Sequence, residues 1–250
     1  MSKRRERQTL ADGHATASSF EWLVQLGAAL AAPREASAIA TAAVDILAGV
    51  FDRVVLWEAL EPDSLTLTEL SGAPGVIVDD ASPAQVAGLR LLASRGFGGA
   101  FARLTGQGGR GSRAAALADP ESPAGRAQAT AQPITVGDPS HPNDGPSLPE
   151  DWRNMARREG ISAGWAVPLL ADSTPVGVLE CYTTDAVADP DTTLTLVHIA
   201  AGQLALAFSQ AAVQERVGRR LAEALLLREV SQMISNSIDL EDTLAAVLAS

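Results

Sequence analysis

Apolar residues fall at helical spacing twice near the start of the chain. Trp22, Leu23, Leu26, Ala29 and Leu30 share one face behind the capping pair Ser18-Ser19, which predicts a first helix to about residue 32. Pro33 suits the first turn of a second helix, whose stripe is Ala36, Ile39, Ala40, Ala43, Val44 and Leu47. The period then changes. Residues 53–60 read as a strand, 61–64 as a turn and 65–70 as the return strand of an antiparallel hairpin. Ser82-Pro83 opens a helix expected through about residue 94, with Val86, Leu89 and Leu92 inward.

Residues 96–112 hold clustered glycines, among them Gly96, Gly98, Gly99, Gly106 and Gly108. Their spacing matches neither a G-x-x-x-x-G-K-S/T phosphate loop nor a G-x-G-x-x-G turn, so the stretch reads as a surface loop. Residues 112–117 read as a short strand, 123–130 as a short helix and 132–136 as a strand ending at Gly137-Asp138-Pro139. After a loop over 138–149, a helix over 149–159 carries Trp152, Met155 and Ala156 on one side, and Gly160 ends it. Strands at 162–170 and 175–183 follow, and Asp189-Pro190-Asp191 starts a long helix with no break until about residue 235. In it Leu206, Val213, Val217, Ala224, Leu227 and Ile234 recur at roughly heptad spacing, interrupted by Arg220. A parallel dimeric helix shows this pattern, and so does a helix packed on its own domain; the dimer is the expectation.

The chain of 250 residues is 46% hydrophobic and 20% charged, enough for one good core plus further elements. Aromatic residues make up only 4%, so each large apolar side chain carries more of the packing. The formal net charge of -11 repels phosphate backbones, and no nucleic-acid partner is expected. Lys3-Arg4-Arg5-Glu6-Arg7 is the one dense basic cluster, read as part of a disordered tail over residues 1–17. Cys181 stands alone, which rules out an intramolecular disulfide and a cysteine zinc site and fits a reducing compartment. No apolar leader follows the basic start, and the most apolar run, 199–208, is too short to span a bilayer and carries Gln203. The segment is expected to be cytoplasmic, without a membrane partner of its own.

Catalytic signals are few. Asp79-Asp80 reads as a turn and Glu241-Asp242 as first-turn helix charges. There is no nucleophile elbow, kinase loop or cyclase signature. His14 lies in the tail, His198 on the closing helix and His141 in the loop Asp138-Pro139-Ser140-His141-Pro142. Cys181, in a predicted strand, has no cationic neighbour in sequence to activate it.

Four stretches in order resemble the GAF domain family. Ser122-Pro123-Ala124-Gly125-Arg126-Ala127 with Gln132-Pro133-Ile134-Thr135-Val136-Gly137-Asp138 is similar to the family's short helix, strand and loop. Glu159-Gly160-Ile161-Ser162-Ala163-Gly164-Trp165-Ala166-Val167-Pro168-Leu169 resembles its "G-I-x-S-x-x-x-V-P-L" strand, and Pro175-Val176-Gly177-Val178-Leu179-Glu180-Cys181-Tyr182 its "G-V-L" strand. The closing helix matches at Ala200, Gln203, Leu204 and Ala207. The resemblance covers roughly residues 20–213 and implies an α+β fold. A central antiparallel sheet of about six strands would carry helices on both faces, followed by a long C-terminal signalling helix. It also implies a small-molecule pocket between the sheet and the short helices, with Trp57, Arg126, Asp138, Trp152 and Trp165 as candidate lining residues. Some members hold haem through a histidine from the region of His141, and others attach bilin through a cysteine beside a histidine in loop or helix positions. Cys181 does not fit the bilin pattern, His141 reads as an exposed loop residue, and no cofactor is expected. The cyclic-nucleotide signature of the family is absent.

The end of the chain echoes its start. Leu26 aligns with Val230, Leu30 with Ile234, Ala36 with Leu240, Ala40 with Leu244 and Val44 with Leu248, all at one offset. The expected organisation is therefore a tail (1–17), a GAF-like sensor domain (18–213), a connecting helix (214–235) and the start of a second, truncated GAF-like domain (236–250). Such a chain is expected to be the non-catalytic input region of a bacterial multidomain signalling protein, with a histidine kinase the first choice of output. It would bind an unknown small molecule or a partner, and would form a homodimer through residues 190–235. A purely structural dimerisation module is the alternative. A GAF-fold enzyme such as a free-methionine sulfoxide reductase would need several cysteines.

Overall fold

A computed structural model describes residues 20–32, 35–60, 88–105, 119–137 and 148–248, with side chains to residue 232 except Val230. The expected tail over 1–17, the return strand at 65–70, the short strand at 112–117, and Asp138 and His141 lie outside these residues.

The helices α1 (Phe20–Leu30) and α2 (Ala36–Leu47) form where the apolar stripe is unbroken, and Leu26, Ile39, Ala43 and Leu47 are fully buried. Among the described residues five strands follow in one antiparallel sheet, β1 (Arg53–Ala59), β2 (Leu89–Arg95), β3 (Ile134–Val136), β4 (Ala163–Ala171) and β5 (Thr174–Thr183), in the spatial order β2-β1-β5-β4-β3. Between them lie α3 (Gly99–Leu104), α4 (Pro123–Thr130) and α5 (Glu150–Glu159), and α6 (Pro190–Leu248) ends the chain. The fold is α+β, as the pattern predicts.

Two stretches differ from expectation. Residues 89–95 were expected at the end of a helix and are the edge strand β2, paired antiparallel with β1 from Val54↔Arg95 to Ala59↔Leu89. Leu89-Arg90-Leu91-Leu92 is too short and too apolar for its period to choose between helix and strand. The open edge of β1 decides, helped by an ion pair between Arg90 and Glu58 on adjacent strands. The glycine-rich stretch expected as loop holds α3. Phe101 of α3 is buried, and Glu159 at the end of α5 accepts hydrogen bonds from the Gly98 N–H (3.0 Å) and the Phe101 N–H (3.3 Å). That carboxylate caps a helix whose N-cap residue is glycine and has no side chain to do it. Gly96 turns the chain between β2 and α3 at φ +81°, where a Cβ would meet the Asp52 carbonyl oxygen.

Strand alternation sorts side chains between two faces. Val54, Leu56, Trp165, Val167, Leu169, Leu179 and Cys181 point to one face and are buried. Phe51 lies on that side, with its ring centroid 6.3 Å from both Trp22 of α1 and Trp165. Val55, Trp57, Ala166, Val178 and Tyr182 point the other way and cluster with Phe101, Ala124, Trp152 and Met155 of α3, α4 and α5.

The chain forms two compact units, Met1–Ser209 and Gln210–Ser250. In the first, α6 buries Val197, Ala200, Ala201, Leu204, Ala205 and Phe208, a helical stripe. In the second, every described side chain from Ala212 on is exposed. The break expected near residue 235 is not there: residues 219–248 hold no proline or glycine, and α6 is continuous to Leu248. The stretch Pro190–Glu229 is long and apolar enough to cross a membrane by length and composition, which the shorter run 199–208 is not. Of its most apolar window, 44% is buried inside the protein, as a helix covering a core would be.

Candidate functional site

Between the sheet and α3, α4 and α5 lies a cleft with about 660 Å³ of empty space, part of it open to solvent. Trp57 from β1, Phe101 from α3, Trp152 from α5 and Tyr182 from β5 form its aromatic walls. Leu104 and Met155 add apolar surface, and Thr105, Ser122, Asp119 and Asp151 add polar groups.

Glu180 sits in the wall of this cleft and is only 3% exposed. Its Oε2 accepts the Trp57 indole N–H at 2.7 Å, and its Oε1 accepts the Tyr182 hydroxyl at 2.8 Å. The backbone N–H of Ala124, in the first turn of α4, is a third donor. That turn is set by Ser122, whose Oγ accepts the Gly125 N–H at 3.1 Å, with Pro123 at the first position. A helix N-terminus offers free N–H groups and a positive dipole end, which suits a buried carboxylate. The compensation is incomplete. Burial pushes the Glu180 carboxyl above the ordinary glutamate value despite the three donors. Burial also pushes the Tyr182 hydroxyl well up, and the adjacent Glu180 charge adds to it.

Glu159 is the contrasting carboxylate. Burial raises it, but the Gly98 and Phe101 N–H groups and the Arg53 guanidinium, whose Nε lies 3.5 Å away, outweigh this and hold it below the ordinary value. It fastens α5 to α3 and does not line the cleft.

The sequence-predicted candidates divide. Trp57 and Trp152 line the cleft. Trp165 does not: it points to the opposite face against Phe51, and its indole N–H has no partner among the described residues. One residue of register decides this, because β4 alternates and Trp165 pairs with Cys181 while Ala166 pairs with Glu180. Arg126 is half-buried on α4, donates to Glu121 at 2.8 Å and is not among the lining residues. His198 is exposed. Cys181 is buried on the face away from the cleft, and burial with the neighbouring Glu180 charge pushes its thiol well up. Among the described residues no group of histidine, cysteine, aspartate or glutamate could hold a metal ion.

Sequence reasoning missed Glu180, Tyr182 and Phe101. A signal for Glu180 existed: alternation over 175–183 places this charge on the same face as Val178 and Tyr182 within an otherwise apolar strand.

The sequence model of the GAF domain matches residues 33–208, which include every element from α2 to β5 and the cleft. The chain belongs to the GAF domain family. No curated protein matches it. Among solved structures it is similar to the GAF domain from a phosphoenolpyruvate-protein phosphotransferase of Coxiella burnetii. The TM-score is 0.54 at 13% identity, over 79% of this chain and 96% of that one. A free methionine-R-sulfoxide reductase from Neisseria meningitidis, solved with its substrate, gives 0.50 at 15% identity, over 79% of this chain and 92% of that one. The GAF domain of an Acinetobacter phosphoenolpyruvate-protein phosphotransferase gives 0.50 at 12%, over 78% and 94%. At these identities the likeness establishes the fold. GAF domains occur in sensory and signalling proteins and are generally regulatory.

Proposed function

We propose that this GAF domain is a non-catalytic input module of a signalling protein. It binds a small molecule in the cleft beside Glu180, and α6, paired with that of a second copy, relays occupancy to an output domain such as a histidine kinase. The cleft carries this reading: four aromatic side chains and a buried carboxylate converge on one concave, partly open space. The three hydroxyls in its lining support binding over turnover. Ser122 is engaged as a helix cap, Thr105 donates to the Phe101 carbonyl, and Tyr182 donates to Glu180. The one thiol lies on the other face, which supports a regulatory role over the cysteine chemistry of a sulfoxide reductase. The relay draws support from the exposed apolar side chains Val213, Val217, Leu221 and Leu227 on α6, which are 52–69% exposed.

A thermal-shift screen of small metabolites on the whole chain tests the binding step. A ligand at a hundred times its Kd stabilises by about 2.7 kcal/mol, a rise of roughly 5–10 °C for a domain of this size. A screen with no stabilising compound argues against a ligand site and favours the second reading, a dimerisation module with no ligand, which the same apolar residues of α6 support. Sedimentation of the whole chain and of Val217→Glu with Leu221→Glu tests the pairing. The relay predicts a dimer that the double variant dissociates, and a wild-type monomer would remove it.

A further inference from the structure

The lining of the cleft has a one-sided chemistry. Among the described residues its charged groups are Asp119, Asp151 and Glu180, with no Lys, Arg or His in the lining. Asp119 and Asp151 are exposed at the rim, whereas Glu180 is buried in the wall. Among the described residues no ion pair reaches Glu180; its partners are the neutral donors of Trp57, Tyr182 and Ala124. An ionised carboxylate offers about four acceptor sites, and three are taken. The group therefore lacks a counter-charge more than it lacks hydrogen bonds. Around it stand ring faces and edges, with Trp152 and Tyr182 centroids 6.1 Å apart and tilted by 44°. Electron-rich rings beside a buried anion attract a cation. Among the described residues the same lining disfavours phosphates and carboxylates, because it supplies three like charges and no basic side chain.

We infer that the cleft selects an organic cation, an ammonium or quaternary ammonium head on a compact body, seated against Trp57, Trp152 and Tyr182 with Glu180 as its counter-charge. A quaternary head fits especially well, since it brings charge without needing acceptors that Glu180 has already committed. This inference rests on the cleft being a ligand site and assigns that site a ligand class.

Calorimetric titration of the whole chain with choline, with its uncharged carbon isostere dimethylbutanol and with benzoate tests it. Choline is expected to bind at least about tenfold more tightly than the isostere, and benzoate not at all. Glu180→Gln keeps the shape of the wall and removes the charge, so it is expected to lower choline affinity by about tenfold and leave the isostere unchanged. Isostere binding equal to or tighter than choline binding, or binding of benzoate, overturns the cation and leaves the cleft a ligand site. If none of the three binds, the cation is overturned, and the broader reading falls only when the metabolite screen is also blank. Should Glu180→Gln fail to fold by circular dichroism, choline against isostere on the unaltered protein decides alone.

Discussion

On the face of the sheet that holds Phe51, the strand residues Val54, Leu56, Trp165, Val167, Leu169, Leu179 and Cys181 are all buried and largely apolar. On the other face the same strands present Trp57, Glu180 and Tyr182 to an open cleft. A single strand supplies both: β5 sends Leu179 and Cys181 one way and Val178, Glu180 and Tyr182 the other. The first face removes apolar surface from water with little polar cost, which is how a fold gains stability. The second keeps space unfilled and buries a carboxylate whose partners do not fully compensate it, which lowers stability and creates recognition. The two faces are expected to respond differently to substitution.

The largest effect is expected from Leu179→Ala. Its side chain is fully buried, and the lost transfer energy plus the cavity should reduce unfolding free energy by about 2–5 kcal/mol in a denaturant titration. Leu104→Ala in the half-buried cleft wall should cost clearly less, and equal costs would dissolve the contrast. Next comes Gly164→Ala. Gly164 lies opposite Tyr182 across β4 and β5, and a Cβ there would come within 2.1 Å of the tyrosine ring. Overpacking of this kind costs about 1–3 kcal/mol, and it should also shift tryptophan emission by moving the ring that holds Glu180. An unchanged melting temperature together with an unshifted emission would refute the close packing.

Glu180→Gln is expected to act through pH. Because the folded carboxyl sits above its ordinary value of 4.5, the native state holds the proton more tightly than the unfolded chain. The stability this contributes is fully present below 4.5 and is lost as pH rises through the folded value. Wild type should therefore gain on Glu180→Gln as pH falls from neutral, measured by denaturant titration at a series of pH values. A difference that stays flat would mean that burial does not perturb this group. The smallest effect belongs to Arg219→Ala, whose partner Glu215 is one helical turn away and whose side chain is 69% exposed. It should leave the melting temperature unchanged, since solvent screens such pairs.

Most elements were legible before the structure. Helical stripes over 20–30 and 36–47, Ser122-Pro123 before α4, Gly160 after α5 and the turn between β4 and β5 all carry local signals that the fold obeys. Gly160 adopts φ +68° at the end of α5, the left-handed position that a glycine C-cap fills. Residues 89–95 and 99–104 were not legible, because a short apolar run suits either period and because α3 takes its cap from Glu159, far along the chain. The site was half legible. Trp57 and Trp152 were found as large apolar residues in the right elements, but Trp165 was placed with them although it faces the other way.

The sequence alone determined most element types and the family, because period, caps and turns act between residues a few positions apart. It also determined that any ligand meets an acidic chain with one cysteine. Only the tertiary structure decided which face each strand residue serves. Strand register sets that, and a slip of one residue would have exchanged Glu180 for Cys181 at the cleft. The bond from Trp57 to Glu180 joins positions 123 residues apart, and no local pattern encodes such a meeting. It exists because β1 and β5 pair in one register and α4 brings its N-terminus to the same carboxylate.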